Sequence, residues 1–321
     1  MSTHDDKNNN NSSILKKIDI KGAIALSATI ISFLMTLTFL GNIHSSSTMS
    51  GFIPVFIFSI VSIVSLMLFI VVERNLSAKQ KAAKMPTTST SSEASSSSVA
   101  ATEAPLIGLN LLRNRIILLN NISLMILGIT MFMVYQSISV LIRSPMPLGF
   151  GGNAISAANV QIPFTIIILV VSVSAGIIIS KFGNIKPSLV ETIISTGFFS
   201  LFLFHSSELL ISANLAVVAI GLTLTRVGNW NILLEYTPKD SIGISLGMTA
   251  MLFFVGMATG PAIASIYMQA NQISIIGSSL SFPSLESYNM IFITAFFISV
   301  ISIALMLVLK KKMSNVIIRT S

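Results

Sequence analysis

The stretch VSVSAGIIISKFGNIKPSL, Val171 to Leu189, reads as the turn between two apolar spans. It closes an apolar run at Ser180 or Lys181. A basic turn follows, Lys181-Phe182-Gly183-Asn184-Ile185-Lys186, and Pro187 opens the next apolar run. Proline is well placed at the start of a helix, where no N–H is required. Two membrane-length helices joined by six polar or small residues form a transmembrane hairpin. The basic turn assigns its tip to the cytoplasm.

Composition extends this reading to the whole chain. Charged residues make up 9% of the 321 and apolar ones 53%, with a mean hydropathy of +0.86. A soluble fold needs more charge to cover its surface. Short alternating segments would mark a β-barrel, but these runs are continuous. The fold class predicted is therefore an all-α polytopic membrane protein. The absence of cysteine rules out disulfides and thiolate chemistry. The first 18 residues are polar, with an Asn run at Asn8 to Asn11, and no cleavable leader is evident.

Eight transmembrane helices are predicted, at 20–41, 51–72, 115–142, 158–180, 187–206, 208–235, 241–268 and 288–309. The formal charge of +8 tests the count. With both termini cytoplasmic, Lys16, Lys17, Lys21, Arg74, Arg113, Arg115, Lys181, Lys186, Lys239, Lys310, Lys311 and Lys312 all fall at inner segments or helix ends. Arg226 lies nearer the inner side of its helix, and Arg143 alone lies outside. This asymmetry orients a multi-pass protein of the plasma membrane and leaves nucleic acid without a role.

The domain reading follows. Residues 1–18 are a polar tail and 19–72 a two-helix segment. Residues 73–114 are a cytoplasmic linker whose Pro86–Ala104 core is nearly all Ser, Thr and Ala, a composition that buries no core. Residues 115–310 are a six-helix bundle and 311–321 a basic tail.

Within the bundle, Thr223, Arg226, Asn229 and Trp230 fall at i, i+3, i+6 and i+7, on one helical face. An arginine inside a span is costly unless it finds water or a partner. Arg226 therefore binds a substrate anion, pairs with a carboxylate, or snorkels to the interface beside Trp230 as a belt residue. On helix 115–142 the polar candidates are Asn121, Tyr135, Gln136, Ser139 and Arg143, read as cavity lining or as hydrogen-bonding glue between helices. Helix 241–268 carries Gly243, Gly247, Gly256, Gly260 and Pro261. Its two small-xxx-small spacings permit close helix approach, and Pro261 permits bending. Glu191 suits the start of its helix. His4, His44 and His205 have no metal-ligand spacing. No metal, cofactor or catalytic constellation is assigned, and the chain is not read as an enzyme.

Several stretches carry a family resemblance. Gly176-Ile-Ile-Ile-Ser180-Lys181-Phe-Gly183-Asn-Ile-Lys186 resembles the signature cytoplasmic turn of the major facilitator superfamily, with Ser180 in place of the usual acid and Asn184 in place of a base. Thr237-Pro238-Lys239-Asp240-Ser-Ile-Gly243-Ile-Ser245-Leu-Gly247 and Gly256-Met-Ala-Thr-Gly260-Pro261 resemble a later turn and its small-residue helix. Asp19-Ile-Lys-Gly22, Val72-Glu73-Arg74, Pro105-Leu106, Leu112-Arg113-Asn114-Arg115 and Ala157 to Pro163 resemble the central helices and linker of fourteen-helix drug/proton antiporters. On this resemblance the last six helices form one bundle, helices 115–142 and 208–235 line the cavity, and the six helices that precede the central pair are absent.

The resemblance implies secondary-active transport of small amphipathic compounds: proton-coupled efflux by alternating access, with a separate N-terminal half or a second copy as partner. The alternatives are a non-transporting membrane subunit or scaffold, and a truncated remnant. The partners implied are the lipid bilayer and a small-molecule substrate.

Overall fold

The computed structural model describes residues 19–42, 52–83, 111, 113–182, 191–203, 205–274 and 280–320. The described residues form helices α1 (Ile20–Asn42), α2 (Phe52–Ala83), α3 (Arg115–Arg143), α4 (Ala154–Phe182), α5 (Glu191–Leu203), α6 (Glu208–Tyr236), α7 (Ile242–Ala270) and α8 (Leu285–Thr320), with a 3-10 turn at Lys239–Ser241. Seven of them are long and apolar enough to cross a membrane. The eighth, α5, is described over 13 residues, about 20 Å of rise. The basic turn 183–186 lies outside the described residues, and so does most of the Ser/Thr-rich linker.

The chain is helical because lipid offers no partner to backbone N–H and C=O groups, so each segment must satisfy its own. Local caps set several starts. The Asp19 Oδ1 accepts from Gly22 N at 2.8 Å. The Asn114 side chain accepts from Ile116 N at 3.0 Å. The Asn153 Oδ1 accepts from Ile155 N and Ser156 N at 2.9 and 3.0 Å. That last cap explains why α4 begins at Ala154 rather than at 158. At the far ends, α2 and α8 run on through Ala83 and Thr320. Helix thus continues into segments that composition assigned to linker and tail, since Lys, Ala and Met are good helix formers in water as in lipid.

Helices α3 and α6 are central. Of their apolar windows 56% and 50% are buried, against 11% for α1, α2 and α4. Helix α3 packs most closely on α7, and then on α8 and α6; α6 is flanked by α4 and α5, and α5 closes the ring against α8. The α3/α7 seam depends on glycine. A methyl group on Gly256 would overlap the Met125 carbonyl oxygen, one on Gly260 that of Ile129, and one on Gly128 would sit 2.6 Å from Phe253 O. Gly243 and Gly247 behave differently: they are exposed, with nothing among the described residues within 4 Å of where a methyl would go. Only the second of the two predicted small-residue spacings meets another helix. Helix α7 runs through Pro261 as one continuous helix.

Helix α1 lies along α7, and a methyl on Gly41 would come 3.2 Å from Gln269 Oε1. The α1/α2 pair is tied by Ser65, whose hydroxyl donates to Ala25 O at 2.7 Å. Phe69 of α2 joins Ile117, Leu233 and Met248 in one apolar cluster, so the hairpin is docked on the bundle. Outward, α1, α2 and α4 expose Ile24, Phe56, Met67, Leu169, Val173 and Ile177. Apolar surface of that extent belongs against lipid.

The connection from α7 to α8 carries an antiparallel pair, β1 (Gln272–Ser274) and β2 (Ser281–Pro283), with Ile273 opposite Phe282. Beside it Tyr288 is fully buried, and its hydroxyl lies 3.1 Å from Ser144 Oγ.

Candidate functional site

Depth along the helices locates the site. Lys181, Lys239, Lys310 and Arg115 mark one end of the bundle, the basic end. Measured from there, Arg226 lies ten residues into α6, Ser172 ten residues into α4 and Phe253 eleven into α7. At 1.5 Å per residue, all three sit about 15 Å from the basic ends of their helices, inside the hydrocarbon core, since a 29-residue helix such as α6 outreaches a 30 Å core at both ends.

A groove of about 360 Å³ opens at this level between α4 and α6. It is lined by Ile168, Ser172, Leu222, Thr223, Arg226, Val227, Trp230 and Asn231. The Arg226 side chain is exposed. Its guanidinium carbon lies 5.1 Å from the centroid of the Phe253 ring. The side chain therefore reaches sideways within the core and does not snorkel to the basic end. A cation over an aromatic face is worth about 0.5–1 kcal/mol at an exposed site. Phe253 is thus the aromatic partner of the cation, and among the described residues no carboxylate stands beside it. Thr223 is buried and donates to Ala219 O at 2.8 Å, so its hydroxyl is already engaged. Trp230, half-buried one turn from Arg226, forms a wall of the groove.

The face predicted for α6 divides. Thr223, Arg226 and Trp230 line the groove. Asn229 does not; its side chain is fully buried, and neither of its amide atoms has a hydrogen-bond partner. Three residues along a helix is a turn of about 300°, enough to carry Asn229 off the groove and toward α3. Asn120 of α3 is likewise fully buried with both amide atoms unpartnered. Both helices carry this polar spot one turn from the cluster in which Ile116 and Ile232 pack together. Asn121 is also buried rather than cavity-lining: its Oδ1 accepts from Thr249 Oγ1 at 2.6 Å, bonding α3 to α7.

The other α3 candidates scatter. Tyr135 stacks at 5.1 Å on Phe164 of α4. Ser139 Oγ accepts from Gln161 Nε2 at 2.8 Å, and that same nitrogen donates to Tyr135 O at 2.9 Å. Gln161, not singled out beforehand, is what fastens α4 to α3. Gln136 is exposed. Arg143 is exposed at the end opposite the basic one, where its Nε donates to Ser139 O at 3.1 Å and its side chain borders a small cavity with Phe282 and Pro283. Of the signature turn, Gly176 is exposed with open space around it. The Ser180 hydroxyl donates to Ile177 O at 2.8 Å, and Lys181 is exposed. Gly183 and Lys186 lie outside the described residues. Phe253 was also missed, because one phenylalanine in an apolar run carries no sign of the cation it will meet.

A larger groove, about 510 Å³, lies between α5 and α6, lined by Ile193, Thr196, Gly197, Ser200, Leu210, Ala213, Asn214 and Val217. It is wider because Gly197 lacks a side chain there; a methyl would run into Val218. It has no charged side chain, and Leu210 and Val217 on its rim are exposed apolar residues. It reads as a lipid-filled crease.

No family model matches the chain, and no curated protein matches it. Among solved structures the chain is similar to a crystal structure of the nucleoside transporter NupG, a point mutant, with TM-score 0.47 and 14% identity. The likeness covers 87% of this chain and 65% of that one, so this chain spans less than two thirds of NupG's length.

Proposed function

We propose that this multi-pass membrane protein is a bundle of a secondary transporter, and that the α4/α6 groove within the core is its solute pathway. The observation carrying this reading is Arg226. On an insertion scale an arginine at the centre of a span costs roughly 2.5–3.5 kcal/mol in lipid, and among the described residues its guanidinium has no carboxylate partner. An exposed, unpaired charge at that depth is sustained by water, and water at that depth is a pathway. Carriage proceeds by rocking of two bundles about a central site. The second bundle comes from outside the described residues, as a separate partner or a second copy. The resemblance to drug/proton antiporters adds efflux across the plasma membrane, with both termini cytoplasmic. A proton carrier for such coupling comes from outside the described residues, since their acidic groups lie near the ends of the apolar spans.

Trp230 tests this directly, being the only tryptophan in the chain and part of the groove wall. In nanodiscs, acrylamide quenches its fluorescence and lipids brominated along the acyl chains do not. The reverse pattern makes the face lipid-covered, and the chain is then a non-transporting scaffold.

A further inference from the structure

Taking the groove as a solute pathway, we infer that it selects anions: the solute carried is a small organic anion with an aromatic or apolar body, its negative group held by Arg226. Three observations converge on this.

The first is where charge lies with depth. Among the described residues, the acids stand at or near the ends of the apolar spans: Asp19 before α1, Glu73 close to Leu76 where the α2 span ends, Glu208 and Glu235 at the two ends of α6, Asp240 in the 3-10 turn and Glu286 at the start of α8. Glu191 opens α5. The basic side chains other than Arg226 are also terminal. Arg226 is thus the one charged side chain at this depth among the described residues. A cationic solute would meet a like charge there and no carboxylate to bind.

The second is the state of the guanidinium. The guanidinium lies beside Phe253, Thr223 donates to its own backbone, and Arg226 lines the groove with no carboxylate partner among the described residues, which leaves an oxyanion as the partner that arginine's N–H groups suit best. The third is the rest of the wall. Ile168, Leu222, Val227 and Trp230 give an apolar body its contacts, in a volume at the small end of the range for ligand pockets. A second copy apposed across this face brings another Arg226 and no acid, which raises the positive potential. An anionic lipid headgroup stays outside the hydrocarbon core, about 8 Å short of this level.

The test uses the full chain in phosphatidylcholine nanodiscs at low salt, with Trp230 as reporter. Trp230 stands one turn from Arg226, about 6 Å away. A unit charge at that distance in water enriches an anion about threefold and depletes a cation to match. Referenced to free tryptophan, the iodide-to-caesium ratio of quenching constants is expected to exceed about fivefold. Arg226→Gln brings the ratio near one, and Arg226→Lys keeps it high. Benzoate shields Trp230 from iodide more than benzamide does at the same concentration. A wild-type ratio near one, or equal shielding by benzoate and benzamide, overturns the inference. If acrylamide quenches normally in that case, the pathway stands and only its selectivity for anions is lost. If acrylamide also fails, the groove is dry and the pathway falls with it.

Discussion

Replacing Arg226 with leucine separates a wet groove from a lipid-covered one by the sign of the stability change. If the side chain faced lipid, the substitution would exchange an unfavourable 2.5–3.5 kcal/mol for a favourable 0.3–0.6, a gain of about 3–4 kcal/mol. In a wet groove there is no such penalty to relieve. The guanidinium keeps its hydration, and the loss is the contact with Phe253, 5.1 Å from the ring centroid, worth about 0.5–1 kcal/mol. The expected result for Arg226→Leu is therefore a destabilisation of no more than about 1 kcal/mol. Arg226→Lys, which retains the charge, should fall between wild type and the leucine variant. The assay is reversible unfolding in bicelles followed through Trp230, which lies within the affected region. Stabilisation by about 3 kcal/mol or more would refute the wet groove and every step built on it.

Three further outcomes concern the frame around the groove. Gly256→Val places two methyls against the Met125 carbonyl in the α3/α7 seam; overpacking of this kind costs about 1–3 kcal/mol, while Gly243→Val, in open space, should change stability by less than about 0.5 kcal/mol. Thr249→Val removes the 2.6 Å bond to Asn121 Oδ1 and strands a buried amide, a loss of about 1–3 kcal/mol in the same assay. Asn229→Leu removes two buried amide atoms that have no partner, so its effect should be near zero or stabilising, and a loss above about 2 kcal/mol would reveal an ordered water holding that amide.

The membrane-spanning framework was legible because it depends on length and hydropathy, which a one-dimensional string carries intact. Each predicted span has a helix in the structure, and Arg226 was already placed nearer the inner side of α6. What the string lacks is azimuth. Arg226 and Asn229 are three residues apart and satisfy one face in a periodicity count, yet one is exposed and the other fully buried. The count tolerates about 60° of rotation, and the boundary between groove and core is sharper than that. The glycines make the same point. Gly243–Gly247 and Gly256–Gly260 have identical spacing, but only the second pair faces α3, because the choice rests on the Met125 and Ile129 backbone of a helix more than a hundred residues away. Gln161 was hidden for another reason: it is a single polar residue in an apolar run, and its partners on α3, Ser139 Oγ and Tyr135 O, belong to a different helix. The β1/β2 pair went unread since its strands are three residues each, too short for an alternation to register.

The most direct measurement is side-specific labelling of a cysteine at position 172. The chain contains no cysteine, so Ser172→Cys reports one site on a clean background. Ser172 is exposed on the groove wall, ten residues from the basic end of α4. In sealed proteoliposomes of defined orientation, membrane-impermeant methanethiosulfonates are added to one side at a time. A pathway through the groove predicts labelling from both sides, with the anionic reagent faster than the cationic one. Labelling only by a lipid-permeant maleimide would contradict it and leave Arg226 facing lipid on a bundle that carries nothing across.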